Sequence, residues 1–259
     1  MSWAGPRLAV TLLTAVPLPG RGRSVAAPSR RDAAAAMYWA PAVGLLVGGV
    51  AAGILLLASR VGHTGPLLAA VLAVTASAVV TRALHLDGLA DFADGLGSGR
   101  PASEALDIMR RSDIGPFGVA TLALTLLIQV SALARAQSLG RGPEAVIAAA
   151  VTARLAITLA CRHGVPAARP GGLGALVARS VRPAGAATLT VIAVAAAAGA
   201  GHLCGAGWVI LPAGVAAGLA VSLGATALAI RRLGGITGDV LGALAELAAT
   251  ACLLVTALS

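Results

Sequence analysis

Three carboxylates, Asp87, Asp91 and Asp94, stand at i, i+4 and i+7 in the stretch His85-Leu86-Asp87-Gly88-Leu89-Ala90-Asp91-Phe92-Ala93-Asp94-Gly95. At about 100° per residue this spacing puts all three within one narrow stripe of a helix. Acids so arranged repel one another unless a divalent cation lies between them. Hard oxygen ligands suit Mg²⁺, which takes a few carboxylates and completes its shell with water and phosphate oxygens. The chain holds only 10 Asp and Glu, and six of them lie between Asp87 and Asp113. In so apolar a chain, that concentration marks a polar cavity or a cation site, because carboxylates against hydrocarbon are costly. The competing reading is a solvated helix face paired with Arg82, Arg100 and Arg110.

His85 precedes the first of these acids by two residues and so falls on a different helical side. A neutral imidazole can take a proton from an attacking hydroxyl, and a hydrogen-bonded structural role is the alternative. Downstream, Arg110 and Arg111 in Ile108-Met109-Arg110-Arg111-Ser112-Asp113-Ile114-Gly115-Pro116 have the paired donors that suit phosphate. Taken alone, Arg110 and Arg111 read first as the positive flank of a membrane span. Gly115-Pro116 starts a helix, Pro being tolerated in its first turn. The last candidate segment is Leu233-Gly234-Gly235-Ile236-Thr237-Gly238-Asp239, with Glu246 a few residues on. Glycines around Thr237 and Asp239 can form a tight turn with exposed N–H groups, and Asp239 can cap the helix that follows. Gly88 reads as close approach of backbone to a ligand or a neighbouring helix, and Gly95 to Gly99 as a helix end and loop.

The elements that must position these residues are membrane spans. Apolar residues make up 58% of the 259-residue chain and charged residues 11%, against about 25% charged in soluble domains; mean hydropathy is +0.91. Seven stretches approach the roughly 20 apolar residues that cross a bilayer: about 36 to 58, 65 to 84, 115 to 134, 144 to 161, 184 to 200, 207 to 230 and 240 to 258. The expected fold is an all-α polytopic bundle, a single domain over residues 1–259. All 19 basic residues are Arg, which fits codon bias in a GC-rich genome. The net charge of +9 reads as topology, not as nucleic-acid binding. With seven spans, the N-terminal segment and the connections after spans two, four and six hold Arg7, Arg21, Arg23, Arg30, Arg31, Arg82, Arg100, Arg110, Arg111, Arg162, Arg169, Arg179, Arg182, Arg231 and Arg232, against Arg60, Arg135 and Arg141 opposite. The positive-inside rule therefore places the N-terminus and the acidic segment in the cytoplasm. Arg154, inside the fourth span, is either a substrate contact or an anchor. Cys161, Cys204 and Cys252 lack metal-ligand spacing and read as packing residues. The run Leu8 to Leu18, broken by Pro17 and followed by arginines, does not read as a cleavable signal.

Taken together, His85-Leu86-Asp87-Gly88-Leu89-Ala90-Asp91, Ala93-Asp94-Gly95-Leu96, the Ser112 to Gly118 turn, and Leu233-Gly234-Gly235 with Thr237-Gly238-Asp239 resemble the cobalamin synthase (adenosylcobinamide-GDP ribazoletransferase) family. The likeness extends to Pro17-Leu18-Pro19 and to Gly44-Leu45-Leu46-Val47-Gly48. It implies a Mg²⁺-dependent, multi-pass enzyme of the inner cell membrane in late vitamin B12 assembly. That enzyme joins adenosylcobinamide-GDP to alpha-ribazole or its 5'-phosphate: a ribose hydroxyl attacks the phosphorus attached to cobinamide and GMP leaves. Carried onto this sequence, the resemblance implies that Asp87, Asp91 and Asp94 hold the metal, with Asp94 or His85 relaying the proton. Arg82, Arg110, Arg111, Ser112 and Asp113 would then contact substrate, and Thr237 and Asp239 would complete the pocket. Many relatives read Lys-Asp-Ser-Arg where this chain has Arg110-Arg111-Ser112-Asp113, so acid and base are exchanged around the serine while their combined charge is kept. Expected partners are the two substrates and membrane lipid, with no nucleic acid, and a homo-oligomer is compatible. The alternatives are another Mg²⁺-dependent membrane phosphotransferase, of the CDP-alcohol or prenyl type, and a small transporter that uses the acids as an ion path.

Overall fold

A computed structural model describes residues 4–16, 28–61 and 64–258. The Pro17-Leu18-Pro19 motif and Arg21 and Arg23 lie outside the described residues. All elements among the described residues are helices, joined by two isolated bridges, Arg162 with Val181 and Ala167 with Ile236. They are α1 (Ala4–Leu13), α2 (Arg30–Arg60), α3 (Pro66–Val80), α4 (Leu84–Gly97), α5 (Ala102–Ile108), α6 (Pro116–Ser138), α7 (Gly142–Ala160), α8 (Gly172–Val177), α9 (Pro183–Leu203), α10 (Ile210–Leu233) and α11 (Gly238–Thr256). Six of them, α2, α6, α7, α9, α10 and α11, are long and apolar enough to cross a membrane. Each coincides with an expected span to within several residues at either end, so the chain is a multi-pass membrane protein.

The stretch expected as the second span differs. It is α3, only 15 residues long, after which the backbone turns through Arg82 and Ala83 at φ 55° and 54°. Two successive non-glycine residues in the left-handed region stop the helix. The chain then leaves at 88° as α4, which packs against α11 and α6. Local signals start and stop the other helices. Ser29 and Asp32 form a capping box on α2, Pro stands in the first turn of α3, α6, α7 and α9, and Arg231 and Arg232 close the last turn of α10, where the helix dipole favours cations.

Small residues let the spans approach closely, as is usual where lipid supplies no hydrophobic drive between helices. A Cβ on Gly44 would lie 2.6 Å from the Ala150 carbonyl oxygen, and one on Gly48 would lie 2.8 Å from Ile147 Cα. This GxxxG pair seats α2 on α7. At α10 and α11, Gly218 faces the Ala248 carbonyl at 2.5 Å in the same sense. The arginine-rich end gathers the start of α2, α4, α5, the 161–182 connection and the 234–237 turn. Arg30 donates to the Ala178 carbonyl at 2.7 Å. The amide of Ile236 donates to Pro166 at 2.9 Å, and that of Ala168 donates to Ile236 at 3.0 Å.

Candidate active site

A cleft of about 330 Å³ opens at this end, lined by Leu84 and Asp87 of α4, by Arg169 and the glycine-rich 171–174 segment, and by Ile236, Thr237, Gly238 and Asp239. Glycine makes the geometry possible. A Cβ on Gly88 would lie 2.6 Å from the Asp239 carbonyl oxygen, one on Gly242 would lie 3.1 Å from His85 Cα, and one on Gly174 would lie 2.6 Å from the Ile236 carbonyl oxygen. Gly88 thus serves close approach to a neighbouring helix, one of the two roles its position suggests. Thr237 caps α11, its hydroxyl accepting from the Val240 amide and donating to Asp239 at 3.2 Å in each case. The cap is Thr237, so Asp239 in the first turn is left to face the cleft.

Asp87 is exposed at the cleft and Asp91 is partly exposed. Burial pushes the Asp91 carboxyl up to about 7, helped by the charges of Asp87, Asp239 and Asp94 and opposed by Arg169. The arrangement is a concentration of negative charge around one guanidinium. Arg169 itself is held lower than an ordinary arginine, by burial and by Arg110, against Asp239, Asp107 and Asp91. It donates to the Leu106 carbonyl, while its buried Nε has no partner. Arg169 belongs to the Arg162–Arg182 loop that the arginine pattern puts on the same face as the acidic segment, without singling it out as a site residue. Pro170-Gly171-Gly172 beside it was the available signal, since a backbone bare of side chains can approach a ligand closely.

The other expected site residues are dispersed. Asp94 is buried, and its carboxylate accepts from the amides of Gly115 at 2.7 Å and Gly118 at 2.9 Å, clamping the start of α6. His85 is buried, with neither ring nitrogen hydrogen-bonded. Arg110, Arg111, Ser112 and Asp113 are exposed outside the cleft lining. Arg110 pairs with Asp107 at 3.7 Å, and Arg82 lines a separate cavity between α3 and α6. Among the described residues, no three His, Cys, Asp or Glu side chains are gathered closely enough to hold a metal ion by themselves.

Fold and cleft together define a polytopic helical membrane protein with a carboxylate-lined recess at its arginine-rich end. Residues 5–257 match the family model described as Cobalamin-5-phosphate synthase, and the chain belongs to that family. It is 46% identical to "Adenosylcobinamide-GDP ribazoletransferase" of Frankia casuarinae, over 98% of this chain and 94% of that protein. Proteins with the same name from Bradyrhizobium diazoefficiens and Mesorhizobium japonicum are 41% and 37% identical, each over 97% of this chain and 92% of the relative. No solved structure matches.

Proposed function

We propose that this protein transfers the phosphocobinamide moiety of adenosylcobinamide-GDP to alpha-ribazole or its 5'-phosphate, releasing GMP and giving adenosylcobalamin or its 5'-phosphate. Family membership along nearly the whole chain carries this reading, and it makes the protein a transferase of late cobalamin assembly. The cleft is chemically suited to the task. Phosphoryl transfer needs mainly positioning and offset of charge, and Arg169 lines the recess with a guanidinium, the group whose paired donors suit a diphosphate.

Mg²⁺ fits the donor set in its usual manner, with one or two carboxylates and the remaining positions left to water and substrate phosphate. Asp87 and Asp239, backed by Asp91, would hold it, and bound there it would offset charge on the leaving phosphate. Asp94 serves it from behind by fixing α4 to the start of α6. The carboxylates not engaged by the cation can accept the proton of the attacking hydroxyl. The arginine asymmetry supports an orientation with the cleft in the cytoplasm, and family membership supports the inner cell membrane as its place.

The test is to supply the purified, detergent-solubilised protein with adenosylcobinamide-GDP and to follow cobalamin product with each acceptor in turn. Product with alpha-ribazole or its phosphate is expected. Transfer to a lipid alcohol instead would point to the CDP-alcohol or prenyl alternative.

A further inference from the structure

Inside the membrane, below α4, lies a second polar cluster that the transfer reaction does not use. Arg154 of α7 is buried within its span, and its Nε has no hydrogen-bond partner. Glu246 of α11 accepts from Gln129 of α6 at 2.8 Å, and Gln129 also donates to Thr250 at 3.0 Å. Arg154, Gln129 and Glu246, with Ser77 and Thr81 of the α3 end, line one cavity of about 60 Å³. Arg154 lies within electrostatic reach of both Glu246 and His85. Arg154 and Glu246 form no direct ion pair with one another, so they interact across the cavity. A buried water needs roughly 10–15 Å³ of such space and two to four polar partners. The cavity offers both for several waters.

An arginine and a glutamate in the hydrocarbon region are expensive and persist where they have a task. Their task is legible from α11. Seven residues separate Asp239 from Glu246, which at about 100° each leaves them within about 20° on one face, two turns apart. Whatever fixes the rotation of α11 at Glu246 therefore aims Asp239 at the cleft. Gly242, midway between them, meets His85 of α4, so the same face makes the α4 contact.

We propose that Arg154, Glu246 and Gln129 are positioning residues, joined through water in this cavity, that lock α11 in rotation and so set Asp239 against Asp87. This rests on the transfer reaction assigned above. The test compares Arg154→Met, Arg154→Lys and the near-isosteric Glu246→Gln with wild type, in detergent preparations matched for folded protein. Kinetics are read beside the cross-linking of cysteines placed at Leu84 and Gly238 in a Cys204→Ser background. The expected result is a kcat at least tenfold lower for Arg154→Met and Glu246→Gln with KM for both substrates within about twofold of wild type. Arg154→Lys should recover most of the rate, and Arg154→Met should change the cross-linking rate. Wild-type kcat and cross-linking in folded Arg154→Met, or a rise confined to KM, would overturn the positioning role. If Arg154→Met does not fold, Glu246→Gln carries the same comparison. A wild-type protein that performs no transfer would sink the functional reading instead, and the cross-linking arm would still judge this one.

Discussion

Asp94 gives both carboxylate oxygens to amides at the start of α6, whereas Asp87 faces the cleft two turns earlier on the same helix. The stripe of acids is real, yet seven residues are ~10 Å of helix, so its ends meet different neighbours. Replacement should therefore separate the acids by kind of effect. Asp94→Ala leaves two amides unpaired and removes charge-assisted bonds, for which the expected cost is about 2 kcal/mol or more of stability. A thermal melt in detergent will show this as a lowered midpoint. Asp91→Asn should instead abolish Mg²⁺-dependent turnover and leave the melt near wild type. Near-normal turnover of that folded variant at limiting Mg²⁺ would contradict its assignment to the cation. At Arg169 the prediction is again kinetic: Arg169→Ala should raise KM for the GDP-bearing substrate by tenfold or more, with Arg169→Lys intermediate because it keeps charge without the paired donors.

At the level of elements, the site depends on how closely α4 can lie on α11. Gly88→Ala sets a Cβ 2.6 Å from a backbone oxygen, which no side-chain adjustment relieves. The helices must separate, and transfer should fall at least tenfold although Gly88 contacts no substrate. Wild-type kinetics for that variant would contradict the dependence of the site on this contact. The acidic helix, its glycine function and the helix beginning at Pro116 were legible in the sequence, because helical spacing and Pro and Gly are local signals. The right-angle break at Arg82 and Ala83 was not. Neither residue type marks a left-handed turn, and hydropathy continues through it. His85 was legible as a candidate but not its burial, which depends on Gly242 of a helix more than 150 residues away. Arg169 reaches the cleft only through the pairing of residues 166–168 with Ile236, a long-range register that no local pattern encodes.

Over the whole molecule, six helices among the described residues are long and apolar enough to cross a membrane, and the bent pair of α3 and α4 makes a seventh crossing if it counts as one span. With the arginine-rich end in the cytoplasm, a cysteine at Ser112 should label with a membrane-impermeant maleimide only in inverted vesicles. One at Ser138, at the far end of α6, should label only in right-side-out vesicles, both in a Cys204→Ser background. The reverse pattern would turn the protein over and place the cleft outside. The bundle carries its polar groups in two tiers: the carboxylate-lined cleft and the Arg154 and Glu246 cavity.

The central claim is that the carboxylate cleft performs the transfer. It is tested most directly by measuring GMP release from adenosylcobinamide-GDP by wild type and Asp239→Asn, each with and without alpha-ribazole phosphate and Mg²⁺. Wild type should release GMP only when acceptor and metal are both present, and folded Asp239→Asn should be at least a hundredfold slower. Comparable release by the two proteins, or release by wild type that ignores the acceptor, would contradict the account.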